Sequence, residues 1–162
     1  MMSPLVAWPT LIRDRCSGSV LVNRRTTLNN LPILLLVEDE PLIRTALADA
    51  LQDGGYSLVE AENGTAAKAV IERGTSFSGL LTDIRLGSGP NGWEVAREAR
   101  HAFPKIAVVY MTGDSAADWA SEGVPNSVLL QKPFANAQVI TAISTLLNVV
   151  DVSPTQTKPA DD

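Results

Sequence analysis

Four short groups of residues carry the chemistry this sequence has to offer: the acidic run Glu38-Asp39-Glu40, the carboxylate of Asp83, the hydroxyl of Thr112 and the ammonium of Lys132. Each stands where an apolar run stops. If these groups converge, carboxylates about 5 Å apart repel by ~3 kcal/mol per pair at an effective dielectric of roughly 20, which favours a raised pKa or a bound cation. An all-oxygen site of this kind suits Mg2+ or Mn2+. A cation beside Asp83, with a hydroxyl and an ammonium nearby, is the equipment for phosphoryl transfer to a carboxylate. Positive charge on the metal and Lys132 would neutralise the equatorial phosphoryl oxygens while Asp83 attacks in line and Thr112 donates a hydrogen bond. The product is a hydrolysable acyl phosphate. Taken alone, Asp83 has a plainer reading as a turn residue ending a strand, because Asp is preferred in turns and depleted in central strands. The surrounding elements decide between the two.

Ile33-Leu34-Leu35-Leu36-Val37 is an unbroken apolar run of strand length, as expected of a strand covered on both faces. Pro41 suits the first turn of a helix, and Leu42, Ile43, Ala46, Leu47, Ala50 and Leu51 repeat at helical spacing until Gly54-Gly55. A weaker strand is expected over 57–61, a turn at Asn63-Gly64, and a helix over 66–73 ended by Gly74. A third strand over 77–82 leads into Asp83, followed by a Gly/Pro-rich loop at 87–92 and a helix marked by Trp93, Val95, Ala96, Ala99 and Phe103. The fourth strand, 106–111, ends in Thr112-Gly113-Asp114. A short, weakly apolar helix is expected around 116–121, then a fifth strand over 127–130 ending in Lys132-Pro133-Phe134. Val139, Ile140, Ile143, Leu146 and Leu147 form the stripe of a last helix. Strands alternating with helices imply an α/β fold, a doubly wound five-stranded parallel sheet with right-handed crossovers. All strands of such a sheet end at one edge, so the loops after the first, third, fourth and fifth converge and carry their four chemical groups into one crevice.

Composition narrows the setting. A chain of 162 residues holds one domain of ordinary size plus tails. The fractions of 45% hydrophobic and 19% charged residues fit a globular protein, and no apolar run approaches a membrane span. The single cysteine, Cys16, excludes an intramolecular disulfide and a thiolate metal cage, which points to a reducing, cytoplasmic location. Residues 1–30 carry +3 against −5 for the whole, leaving −8 on the remaining 132. An acidic body argues against binding nucleic acid directly. Pro4 and Pro9 interrupt the only apolar portion of residues 1–30, so the expected organisation is a flexible extension over 1–30, a domain over 31–150 and a disordered acidic tail over 151–162.

The acidic pair after strand one, Asp83 after strand three, Thr112-Gly113 after strand four and Lys132-Pro133-Phe134 after strand five resemble the receiver domain of two-component response regulators. The resemblance spans roughly residues 31–150 and implies a flavodoxin-like sheet of order 2-1-3-4-5. It implies that Asp83 is the phosphoacceptor, with Asp39 as direct Mg2+ ligand, Glu38 as its water-mediated partner and the backbone carbonyl of Arg85 as a third protein ligand. Lys132 then contacts the phosphoryl group, Thr112 is the switch hydroxyl, and the Lys132-Pro133 bond is cis. On this reading the chain is a stand-alone signalling protein rather than an enzyme, a monomer or weak dimer off the membrane. Its partners are a sensor histidine kinase or phosphotransfer protein and, through the face of helix four, strand five and helix five, a downstream protein.

One position departs from the pattern. Where the family often has Tyr or Phe three residues before the lysine, this chain has Leu129, which offers neither a ring nor a hydroxyl to an output partner. That departure supports the alternative of a pseudo-receiver that binds partners without being phosphorylated. A dehalogenase-type phosphatase would want an Asp-x-Asp pattern after strand one, and a flavodoxin a hydroxyl-rich phosphate loop there; Glu38-Asp39-Glu40 is neither. Among the remaining candidates, Glu40 reads as a helix N-terminal carboxylate and His101 as a solvated helix end. Trp93, Phe103 and Tyr110 read as core or core-edge residues, and Trp119 as half-buried packing or a partner anchor. Arg85 and Asp114 read either as solvated loop charges or as borders of the path of an attacking water.

Overall fold

The computed structural model describes residues 31–151, and the expectations for residues 1–30 and 152–162 lie outside them. The chain runs β1 (Ile33–Val37), α1 (Pro41–Asp53), β2 (Ser57–Ala61), α2 (Gly64–Glu72), β3 (Gly79–Asp83), α3 (Gly92–Ala102) and β4 (Ala107–Thr112). A 3-10 turn (Ala116–Asp118), α4 (Trp119–Glu122), β5 (Ser127–Gln131) and α5 (Asn136–Asp151) follow. The strands form one sheet of order β2-β1-β3-β4-β5, parallel at every pairing.

The three central strands explain their own position. Every residue of β3 and β4 is buried, as are four of the five in β1, which is what apolar runs without polar alternation require. Successive side chains point to opposite faces. Leu35, Val37, Leu80, Val108 and Tyr110 therefore pack with Ala67 and Ile71 of α2 and Val95, Ala96 and Ala99 of α3. Leu34, Leu36, Leu81, Val109 and Met111 pack on the other side with Leu47, Ala48 and Leu51 of α1 and Val139 and Ile143 of α5.

Register sets where each loop begins. Asp83 pairs with Met111, so Thr112 lies one step further along; Thr112 pairs with Gln131, so Lys132 is one step beyond that. The chain departs from β1 to β2 on one side and to β3 on the other, so the crevice of this sheet opens between β1 and β3.

Three local expectations are corrected. Asn63-Gly64 is a helix start rather than a free-standing turn: Asn63 Oδ1 accepts the Ala66 amide at 2.8 Å, and α2 begins at Gly64. Asn favours turns and N-caps through the same side-chain acceptor, so composition cannot separate them. The fourth helix is a 3-10 turn followed by a single α-turn, with no buried residue in either. Third, β3 runs from Gly79 to Asp83 and β4 from Ala107 to Thr112, each closing one residue beyond its expected end, because backbone pairing continues past the last apolar side chain.

Gly92 turns the loop after β3 back into α3. Its amide donates to the Ile84 carbonyl at 2.9 Å, and a Cβ there would meet the Asp83 carbonyl oxygen at 2.1 Å. At Gly113 a Cβ would meet nothing within 4 Å. Urea denaturation is expected to show Gly92→Ala destabilised by about 2 kcal/mol, the scale of core overpacking, and Gly113→Ala within about 0.5 kcal/mol of the parent.

Candidate functional site

At the carboxyl edge of β1 and β3 the chain buries two carboxylates: Glu38 is 1% exposed and Asp83 8%. Burying such charges is tolerated only when they are paired. Lys132 pairs both, its Nζ donating to Glu38 Oε2 at 2.9 Å and to Asp83 Oδ2 at 2.6 Å. The remaining carboxylate oxygens are also used. Glu38 Oε1 accepts the Glu40 amide at 3.3 Å, and Asp83 Oδ1 accepts the Arg85 amide at 3.1 Å. Main-chain bonds hold the strand ends in place: Ile84 N–H donates to Met111 O and Lys132 N–H to Thr112 O at 2.7 Å. The Lys132-Pro133 bond is cis.

Burial pushes the Glu38 carboxyl above its ordinary range, and the hydrogen bond from Lys132 restrains that rise. Burial acts on Lys132 in the opposite sense, lowering it, but its bonds to Asp83 and Glu38 outweigh burial and hold the ammonium raised.

Asp39 completes the acidic group. It is exposed, and one carboxylate oxygen from each of Glu38, Asp39 and Asp83 lies within 4.8 Å of the others. With Lys132 the four side chains sum to −2, so the pocket retains negative charge after its internal pairing. Such hard oxygen donors in an uncompensated field fit a small divalent cation.

The other sequence candidates take varied places. The hydroxyl of Thr112 is buried and accepts the amides of Asp114 at 3.2 Å and Ser115 at 2.8 Å, so it serves the following loop rather than Asp83. Arg85 and Asp114 form an exposed ion pair at 2.7 Å between the loops that follow β3 and β4. Glu40 is exposed and caps α1 with its backbone alone. His101 lies exposed in the last turn of α3. Trp93 is buried and tilts against the ring of Tyr110 with centroids 4.5 Å apart, while Phe103 is half-buried against Phe77.

Sequence reasoning missed Arg44, whose Nη1 donates to the Glu38 carbonyl at 2.7 Å while Nε reaches Glu60 at 3.6 Å. Its position four residues after Glu40, on the first turns of the helix that follows the acidic run, was the available signal.

A family model, the response regulator receiver domain, matches residues 34–144. The chain belongs to that family.

This receiver is similar to the crystal structure of a response regulator receiver protein from Sinorhizobium medicae, with 40% identity, a TM-score of 0.73, and coverage of 75% of this chain and 98% of that one. It is 34% identical over 103 residues to the response regulator protein FleR of Pseudomonas aeruginosa, covering 62% of this chain but only 21% of FleR. A third relative is the receiver domain of the sensor histidine kinase PA1611 of P. aeruginosa, solved with a magnesium ion coordinated in its active-site cleft. It shares the fold at 24% identity and a TM-score of 0.64, over 73% of this chain and 98% of that domain. The receiver is a two-component signalling module rather than a classical enzyme, with an acidic site able to bind a metal and the flavodoxin-like sheet expected. Receivers of this family are phosphorylated by histidine kinases. Among the described residues no helix is long and apolar enough to cross a membrane.

Removing Lys132 leaves two buried carboxylates without their cation. Lys132→Met is expected to cost about 3 kcal/mol in metal-free urea denaturation, with part recovered in the Glu38→Gln, Lys132→Met double variant. Because the folded value of Lys132 is raised above the ordinary 10.5, its contribution is complete below that pH and is lost as pH rises through the folded value. Stability measured through that alkaline window should fall in the parent and stay flatter in Lys132→Met.

Proposed function

We propose that this receiver is a phosphoacceptor response regulator that takes a phosphoryl group onto Asp83 from the phosphohistidine of a sensor kinase or phosphotransfer protein. One observation carries the reading: a buried Asp83 is held by the same ammonium that holds Glu38, with Asp39 alongside and solvent on the open side. That ammonium holds the Asp83 carboxylate in place while the remaining acidic groups stand open to a metal. Glu38, Asp39, Asp83 and the backbone carbonyl of Arg85 are the assigned ligands of a Mg2+ ion, with Mn2+ as a substitute. The magnesium in the PA1611 receiver supports this assignment. When bound, the ion supplies positive charge against the phosphoryl oxygens.

The protein's own part of the reaction follows from its pairings. An Asp83 carboxylate oxygen bonds to phosphorus as the donor's P–N bond breaks, and the bonding electron pair leaves with the imidazole. Lys132 exchanges its contact with Asp83 for a phosphoryl oxygen. Thr112 turns from its loop amides to donate to a second phosphoryl oxygen. The Lys132 move replaces one hydrogen bond by another, whereas the Thr112 move withdraws an acceptor from the Asp114 and Ser115 amides, in a loop open to water.

The test is incubation with Mg2+ and acetyl phosphate. One acid-labile phosphoryl group is expected on the parent and none on Asp83→Asn; equal labelling of the two, or none on either, defeats the reading. Mg2+ at about ten times its Kd should also stabilise the parent by about 1.4 kcal/mol, with that shift lost in Asp39→Asn. A protein that binds partners equally well with and without Asp83 would instead be the unphosphorylated pseudo-receiver.

We assign the donor's landing place to the surface beside Lys132. A groove of about 560 Å3 lies between Leu42, Ile43, Ala46 and Leu47 of α1 and Lys132, Pro133, Phe134 and Asn136. Leu42 is 81% exposed there, an apolar side chain left in water next to a reaction centre. Phosphotransfer from a kinase should fall at least about tenfold in Leu42→Asp, with labelling by acetyl phosphate unchanged. A cytoplasmic setting and a monomer or weak dimer complete the reading.

A further inference from the structure

The segment between β4 and β5 is fastened unequally at its two ends. The end toward β5 is held from three sides. Arg97 Nη1 donates to the Glu122 carboxylate at 3.0 Å and, more weakly, to its carbonyl at 3.4 Å, and Arg100 Nη1 donates to Pro125 O at 2.8 Å. The Val124 amide, in a buried contact, donates to the hydroxyl of Tyr110 at 3.2 Å. A chain of bonds ties the short helix to the same point, Trp119 Nε1–H donating to Ser127 Oγ at 3.0 Å and Ser127 Oγ–H to Val124 O at 2.6 Å.

The end toward β4 is held differently. There the Thr112 hydroxyl accepts the amides of Asp114 and Ser115, and the exposed Arg85–Asp114 pair adds little in water. No residue of the 3-10 turn or of α4 is buried, so this stretch opens at lower cost than the sheet below it. Tyr110 and Thr112 stand two residues apart on one face of β4, and Tyr110 is the cross-strand partner of Leu129. The aromatic ring and hydroxyl absent from position 129 are thus present one strand over, fixed against Trp93 and bonded to the β5 end of the segment.

Resting on the phosphoacceptor reading, we propose that Tyr110 is a positioning residue that pins the Val124 turn. Recruitment of the Thr112 hydroxyl by a phosphoryl group then releases residues 113–118 alone, while Trp119, bonded to Ser127, stays with the held end and β5 and α5 keep their places. Drawing the Thr112 oxygen toward phosphate takes the acceptor away from the amides of Asp114 and Ser115. The Tyr110 hydroxyl bonds Val124, beyond the amides that Thr112 holds, and is not part of that step.

Hydrogen exchange on the full chain tests this, comparing the Mg2+ form with the form also carrying beryllofluoride as a phosphoryl mimic. In the parent, amides 113–118 should change protection by about fivefold or more, while 122–131 and α5 stay unchanged. In Tyr110→Phe, which keeps the ring, Val124 should exchange about fivefold faster and the change on mimic binding should spread to 122–127. Equal or larger changes in β5 and α5 of the parent, or an unaltered Val124 in Tyr110→Phe, overturn the proposal. Labelling by acetyl phosphate separates the two layers: labelled protein with the wrong exchange pattern defeats only the role of Tyr110, whereas unlabelled protein defeats the reading beneath it.

Discussion

The ammonium of Lys132 placed between Glu38 and Asp83 is the interaction on which the crevice depends. Two carboxylates at the carboxyl edge of a parallel sheet are costly to bury without a partner. The lysine arrives from 49 residues beyond Asp83 and 94 beyond Glu38, so only correct pairing of β1, β3, β4 and β5 can deliver it. Fold and site therefore support each other. The sheet brings the charges to one edge, and their pairing removes the penalty that the edge would otherwise carry.

That pairing is incomplete by design of its charges. One ammonium faces three carboxylates, of which Asp39 stays open to solvent. A fully neutral cluster would have no reason to take up a cation, and a cluster without Lys132 would strain the metal-free protein. The intermediate balance leaves the pocket receptive to positive charge while the sheet remains intact. It also makes Lys132 a stand-in that an incoming group can displace, because each bond it gives up can be replaced by one to the newcomer.

Beyond the pocket, stability is distributed unevenly. The central strands are wholly buried, and α3 is fixed at its start by a reciprocal pair of bonds between Asn91 and Glu94. From its last turns Arg97 and Arg100 reach the turn before β5. The stretch after Thr112 has no such support except through that hydroxyl and the exposed Arg85–Asp114 pair. The pocket at Asp83 thus lies beside a stretch with few buried contacts, where a small change in hydrogen bonding can move backbone at low cost.

The amino-acid sequence by itself determined the five strands, the faces of the longer helices and the four groups that meet at one edge, because buried parallel strands are unbroken apolar runs and each reactive group stands where a run stops. It also carried the receiver pattern of Glu38, Asp39, Asp83, Thr112 and Lys132. It did not determine Asn63 as a cap, the reduction of the fourth helix to single turns, or the roles of Arg44, Arg97 and Arg100. Local preference is silent where one side chain serves turns and caps alike, and where partners lie 25 residues apart, as Arg97 and Glu122 do. The same holds for Leu129, read from the sequence as a missing aromatic. Only the register of β4 against β5 set the ring of Tyr110 beside it, since proximity across a sheet is a property of pairing and not of order along the chain.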